Sequence, residues 1–507
     1  MNKASQITSN RSGLLWIPKT KTAAQQWDSI NWKVVRRRIN KLQARITKAT
    51  QRGNRNLAKK LQYLLISSFE AKLVAVKKVT LNKGKRTPGI DRKTWSTSPT
   101  KYNAALSLNT KGYKASPLRR VYIEKKGKKK KRPLGIPTMY DRAIQALYAM
   151  ALDPIAETLA DKTSFGFRKK RSAHDAAQHI FYYSARNKDP QWILEGDIKG
   201  CFDNINHQWL MDNIPIDKRI LKQLLKAGFI YKRQLFPTQA GTPQGGILSP
   251  IMANITLDGI ERKIKEKYWK TPKGKTHHIR YNKHKVNYTR YADDFIVTAN
   301  SIETLMEIKE LITQHLNPRG LTLSEEKTLI TNIDSGFDFL GWNFRKYNGK
   351  MYIKPSKSSI KKIKETIKTT INAHLGKSQS QLIKNLNPII TGWTNYHRTC
   401  CAKETFSQID TYTFHRLWKW AKQRHRNKSK KWIRNRYWQR TLFRNWIFSD
   451  GTIQLKNASD TKITRHWIIK FDANPYLPEY QRYYYCRDMQ RIQETNQNVA
   501  ANGIFGE

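Results

Sequence analysis

Apolar residues recur along this chain with two periods, and the switches between them mark out its elements. In residues 31–68, Val34, Val35, Ile39, Leu42 and Ile46 fall at helical spacing, which predicts one or two amphipathic helices. A Gly/Pro loop from Lys83 to Asp91 ends that region. Residues 118–123 alternate apolar with polar, and together with the stretch through Pro137 they predict a two-stranded finger. Helical periods follow over 141–159, 214–231, 251–268 and 301–316. Strand-like runs lie between them at 192–202 and 286–298, at a unit opening with Leu321, and at 338–344. Ser164-Phe165-Gly166-Phe167-Arg168 reads as a turn returning to the sheet. From Ser356 the pattern is helical again, with Ile360, Ile363, Ile367 and Ile371 on one face. Strands alternating with helices from about 115 to 347 predict an α+β region.

Charge changes the picture. The 507 residues carry 96 Lys+Arg against 37 Asp+Glu, a formal net charge of +59, which calls for a polyanionic partner and points to nucleic acid. The helical stretch 31–68 has eleven Lys/Arg and no acid. The stretch 414–446 has twelve Lys/Arg and five Trp, again with no acid, a mixture suited to pairing phosphates and stacking bases. Within it Arg424, Arg426, Lys430 and Arg434 are candidate RNA contacts. No long apolar span suggests a membrane partner. Cys201, Cys400, Cys401 and Cys486 form neither a CxxC pair nor a zinc spacing. Residues 1–6 lack the apolar core of a secretory signal, so a cytoplasmic location is expected.

The candidate chemistry sits in the strand-like runs. Tyr291-Ala292-Asp293-Asp294 places two carboxylates at the bend of a predicted hairpin, among β-branched and aromatic residues. A second acidic strand, Glu195-Gly196-Asp197-Ile198, lies upstream. Two strand-borne carboxylates in so basic a chain suit magnesium-dependent phosphoryl transfer on nucleic acid, because Mg²⁺ takes carboxylate and water oxygens. The lysine-rich stretch through Lys131-Arg132 would suit a triphosphate or a template backbone. The glycines of Gly241-Thr242-Pro243-Gln244-Gly245-Gly246 would let backbone approach a flat ligand.

Several blocks in this order resemble the group II intron-encoded reverse transcriptase/maturase family. They are Lys131-Arg132-Pro133-Leu134-Gly135-Ile136-Pro137, residues 164–168, Glu195 through Asp203, Gly241 through Pro250, Tyr291-Ala292-Asp293-Asp294 and Phe339-Leu340-Gly341. Gly392-Trp393 and Asn395-Tyr396 resemble the family's thumb, or maturase, region; Arg465-His466-Trp467 and Asn474-Pro475-Tyr476 resemble its DNA-binding region. The resemblance implies an α+β right-hand polymerase: fingers and a palm with an antiparallel sheet and helices, then a helical thumb and a small basic C-terminal domain. The implied segments are a basic N-terminal extension (1–69), fingers and palm (70–347), thumb/maturase (348–446) and a DNA-binding region (447–507). It further implies RNA-dependent DNA synthesis from dNTPs with two Mg²⁺ ions.

By the same resemblance, Asp197 and Asp293 are the principal metal carboxylates and Asp294 a supporting one, with the Ile198 carbonyl completing a metal shell. Lys327 is a general acid near the leaving pyrophosphate. Lys125 and Arg132 contact the triphosphate, Gln244 lies along the incoming nucleotide, and Phe202 excludes a 2′-hydroxyl. The implied partners are group II intron RNA, a primed RNA template and target DNA, with the protein nucleoid-associated when acting on DNA. Paired cysteines of a C-terminal nuclease are missing, so DNA cleavage by this chain is not expected. The intact Asp197, Asp293 and Asp294 argue against a splicing protein with a dead polymerase.

Overall fold

The computed structural model describes residues 21–124, 131–186, 190–243, 245–270, 281–440 and 444–500. The chain forms two compact units, and neither is one stretch of sequence. One joins Met1–Leu159 to Gly200–Thr256; the other joins Ala160–Lys199 to Leu257–Glu507.

In the first unit the predicted basic helices are Trp32–Gln51 and Arg55–Ser67. Asn31 starts the former by accepting from the Lys33 and Val34 amides, both at 3.2 Å. Val35, Ile39 and Ile46 are buried, while Lys33, Arg36, Arg37 and Arg38 face water. The predicted finger is an antiparallel pair, Leu118–Ile123 with Arg132–Ile136, in the register Arg119 opposite Ile136. Its basic tip, including Lys125, lies outside the described residues.

The helix expected over 214–231 is corrected. Helix Lys218–Leu225 ends, Gly228 turns the chain at φ +66°, and Phe229–Tyr231 becomes a strand. That strand pairs in parallel with the finger and antiparallel with Gln234–Phe236. A short apolar run carries no period that separates strand from helix, and here the neighbouring strand edge decided. The helix expected over 251–268 is likewise two, Ser249–Leu257 and Ile260–Tyr268, separated at Gly259 with φ +102°.

The second unit is built on a four-stranded antiparallel sheet. Its order is Asn287–Tyr291, Asp294–Ala299, Trp192–Asp197, Leu329–Asn332. Both faces are covered, so Ile193, Leu194, Phe295, Ile296 and Val297 are all buried and the central strands read as apolar runs without alternation. Gly196 is required beneath the Phe295 ring, since a Cβ there would come within 2.1 Å of it. The segment opening at Leu321 begins as a loop with a single 3-10 turn, Glu325–Lys327, and only then becomes the edge strand. A three-stranded sheet (Phe337–Phe339, Trp342–Tyr347, Lys350–Pro355) leads into helices Lys357–Ala373, Gln379–His397 and Lys403–Arg424. Ile363, Ile367 and Ile371 are buried as their spacing predicted, with Ile360 packed at the margin. One apolar core runs from Ile193 and Ile296 through Trp342 to Leu386, Phe406 and Trp420.

The C-terminal segment folds back onto helix Ala173–Ser184. The buried Asp175 carboxylate accepts from His466, from Arg487 and from the Ile469 amide. Among the described residues no helix is long and apolar enough to cross a membrane.

Candidate active site

The hairpin Asn287–Tyr291/Asp294–Ala299 closes through Ala292 and Asp293 alone. Ala292 takes φ +59°, a left-handed conformation that costs a residue with a Cβ about 1–2 kcal/mol. Two contacts hold it. Arg290, 0% exposed, donates from Nη1 to the Ala292 carbonyl at 3.3 Å while its Nη2 pairs with Asp258. From behind, the Ser164-Phe165-Gly166 turn pairs with Arg290 along the backbone: Phe165 N donates to Arg290 O at 2.8 Å and Arg290 N to Thr163 O at 3.0 Å. Gly166 then lies so close that a Cβ would sit 2.2 Å from the Ala292 nitrogen.

The turn so held brings the carboxylates together. Asp294 stands directly across the ladder from Asp197, and Asp293 precedes it in the turn. Although Asp294 keeps an exposed surface, burial, then the Asp293 and Asp197 charges, push its carboxyl up to about 7. Lys327 supplies the opposing charge. The loop after Leu321 is zipped to the end of the Asp197 strand: Lys199 N donates to Thr322 O, Ser324 N donates to Asp197 O, and Ile198 bridges Leu323. The 3-10 turn then delivers the Lys327 ammonium to Asp197 Oδ2. That hydrogen bond, with the carboxylates around it, raises the lysine pKa, so it remains an ammonium.

Asp197, Asp293, Asp294 and Lys327 are therefore one cluster, with Ile198 buried beside it. Mutual repulsion of three carboxylates is the condition a divalent cation relieves, so the donor set fits such an ion. The carboxylates are not closed into a preformed cage; among the described residues no three His, Cys, Asp or Glu side chains are grouped tightly as metal ligands. Phe202 belongs to the first unit, in the short helix Cys201–Asn204, where its carbonyl accepts from the Thr242 amide at 2.6 Å. Arg132 lies in the finger strand, and Lys125 and Gln244 lie outside the described residues.

Of the candidate RNA contacts, Arg426 and Lys430 are exposed. Arg434 is partly buried against the Trp446 ring. Arg424 donates to the Leu375 and Lys377 carbonyls and lies over Trp420, so its guanidinium also ties helix ends together. Trp420 and Trp438 are core residues, whereas Trp432 and Trp446 are exposed. Sequence reasoning assigned no role to Arg290 or Asp258 and read Gly166 only as part of a turn; an arginine inside the otherwise uncharged strand Asn287–Tyr291 was the available signal.

Residues 123–344 match the reverse transcriptase (RNA-dependent DNA polymerase) family. Residues 27–108 match the N-terminal domain of reverse transcriptase, and residues 360–438 the group II intron maturase-specific domain. The group II intron-encoded protein LtrA of Lactococcus lactis subsp. cremoris is 36% identical over 328 residues, covering 54% of this chain and 54% of its own length. Protein YkfC of Escherichia coli is 32% identical over 305 residues, 53% of this chain and 79% of its own. The chain belongs to the group II intron reverse transcriptase/maturase family. It spans about half the length of LtrA, and a more distant member, maturase-like protein 1 of Euglena gracilis, is 25% identical over 72% of this chain and 76% of its own. The carboxylate cluster lies inside the reverse transcriptase match, and Arg424, Arg426, Lys430 and Arg434 lie inside the maturase match.

Proposed function

We propose that this chain is an RNA-directed DNA polymerase that also binds its host intron RNA, assists splicing and supports intron mobility by target-primed synthesis. The observation that carries the reading is the convergence of Asp197, Asp293 and Asp294 with Lys327 at one end of an antiparallel sheet. We read the chain as a right hand, with a basic N-terminal extension (1–69), fingers and palm (70–347), a thumb/maturase domain (348–446) and a DNA-binding region (447–507).

Asp197 and Asp293 would hold two Mg²⁺ ions, with Asp294 and the Ile198 carbonyl in support. Bound there, the ions would lower the pKa of the primer 3′-hydroxyl and offset charge on the transferred phosphoryl group. Lys327, held protonated by Asp197, is suited to give a proton to the departing pyrophosphate. Phe202 selects deoxyribose by size, Gln244 lines the nucleotide, and Lys125 and Arg132 hold the triphosphate. Intron RNA lies along the basic faces of 31–68 and 414–446, a partner supported by the maturase match and by LtrA's description as intron-encoded. Target DNA is the second polyanion, with action at the nucleoid.

Asp293→Asn tests the reading. Loss of a metal ligand should exceed the roughly 10²–10³-fold effect of one lost electrostatic contact. Single-turnover primer extension should therefore fall by more than that, while intron RNA binding persists. Near-normal cDNA synthesis by this variant would falsify the assignment.

A further inference from the structure

A cleft of about 280 Å³ lies in the second unit, within the proposed DNA-binding region and apart from the carboxylate site, lined in part by His174, Arg398, Arg465, His466, Trp467 and Arg487. Among the described residues its lining includes no Asp or Glu. The floor is fixed rather than fluid. Arg487 is 6% exposed and donates to the Lys170 carbonyl, to Asp175 and to the Trp467 carbonyl. His466 bonds the same Asp175 oxygen at 3.0 Å, and the Thr464 amide donates to the Arg398 carbonyl at 2.9 Å. These bonds neutralise Asp175 and use most of the Arg487 donors. They leave Arg487 Nε buried without a partner among the described residues.

At the rim Trp467 stands 60% exposed, beside the exposed Arg465. A large flat ring left in water next to one fixed and one exposed guanidinium group is the pairing that takes a base on one side and its phosphate on the other. The volume lies just below the usual range of ligand pockets, about 300 to 1,000 Å³. It suits one nucleotide turned out of a single strand and is too confined for a duplex to enter. We propose that this cleft seats one unpaired nucleotide, its base on Trp467 and its phosphate on Arg465 and Arg487, as a nucleic-acid contact separate from the carboxylate site. The proposal rests on the reading of the chain as a nucleic-acid enzyme, but not on its being a polymerase.

The full chain would be irradiated with single-stranded RNA, single-stranded DNA and a blunt duplex, each carrying 5-iodouracil, and the crosslinked peptides mapped. Crosslinks to the Trp467 peptide are expected with single strands and not with the duplex; the RNA arm marks an intron strand and the DNA arm a target strand. Arg465→Ala with Trp467→Ala should weaken the preferred single strand roughly tenfold, since one stacked base is worth about that much. Trp467→Phe should recover most of the loss because the ring is retained. Primer extension on a preformed primer-template should be unchanged in all three proteins. Both substituted residues are exposed, so a folded variant is expected, and a thermal melt checks it. Crosslinks mapping elsewhere, unchanged affinity in the double variant, or equal loss of duplex binding would each overturn the nucleotide seat. Absent primer extension in the parent chain would instead overturn the polymerase reading and leave the crosslink result standing.

Discussion

Gly166→Ala is the sharpest perturbation the active-site geometry offers. Its added Cβ would stand 2.2 Å from the Ala292 nitrogen, 2.9 Å from the Tyr291 carbonyl carbon and 3.0 Å from the Ala292 Cα. All three are backbone atoms, so no rotamer change relieves the clash. Ordinary contact begins at 3.4 Å, so the Ala292–Asp293 turn or the Ser164–Gly166 turn must retreat by more than an ångström at the tightest point. The latter is bonded on both sides of Arg290, and the displacement therefore falls on Ala292 and Asp293. Misplacing a catalytic group by about 1 Å costs on the order of 10²-fold in rate, and overpacking adds about 1–3 kcal/mol of destabilisation. The assay is single-turnover primer extension at saturating dNTP over a range of Mg²⁺, with a denaturant melt alongside. The expected result is a folded protein with a greatly reduced rate and a raised Mg²⁺ requirement. Gly392→Ala is the control: it lies inside helix Gln379–His397 with nothing within 4 Å of its added methyl. There alanine should stabilise by about 0.5–1 kcal/mol and leave extension untouched. A parent-like rate in Gly166→Ala would show that Gly166 does not set the turn.

Other outcomes follow from the same contacts. Because Asp294 is raised from 3.8 to about 7, the folded protein binds a proton that the unfolded chain releases between those values. Metal-free stability should thus fall as pH rises from about 4 to about 7, and Mg²⁺ should restore it increasingly towards neutrality. Asp161 titrates with the same sign, so Asp294→Asn should remove only part of the pH slope while weakening the Mg²⁺ effect; an unchanged Mg²⁺ effect would count against the cluster. Arg290→Met leaves Asp258 without its buried partner and should cost roughly 3–5 kcal/mol in urea unfolding, with Arg290→Met/Asp258→Asn recovering part of it. Arg426→Glu with Lys430→Glu should weaken intron RNA binding and flatten its salt dependence by on the order of two phosphates, while primer extension persists. Arg424 is left out of that set because it holds the Leu375 and Lys377 carbonyls.

The hairpin and its acids were legible because local propensity and tertiary placement agree: β-branched runs flank two residues that are poor in strands. The isoleucine stripe of Lys357–Ala373 was legible for the same reason. What failed depends on distant partners. Phe229–Tyr231 became a strand because an edge at Leu118 awaited it, and no window of sequence around Phe229 contains that edge. The tryptophans of 414–446 looked alike, yet Trp420 is buried against Tyr437 and Phe448, whereas Trp446 is half in water. Arg465-His466-Trp467 read as a nucleic-acid motif, but that His466 is bonded to a buried Asp175 almost three hundred residues earlier is visible only in the fold.

Arg290 poses an electrostatic problem that the fold resolves. A cation buried just behind the three carboxylates would offset their negative potential and weaken their hold on a divalent ion, since interactions are strong where water is excluded. Its charge is spent elsewhere: Nη2 pairs with Asp258, and Asp161 and Glu261 lie in the same buried network, Glu261 matched in turn by Lys265. The consequence is readable at Asp294. Its carboxyl is pushed up by burial, then by Asp293 and Asp197, and among the causes it is the half-exposed Lys327 that counters this. Backbone restraint and metal affinity are therefore assigned to separate charge systems. Arg290 can clamp the Ala292 carbonyl without blunting the site, and Lys327, more than half exposed, holds Asp197 from a position that an arriving ion can contest.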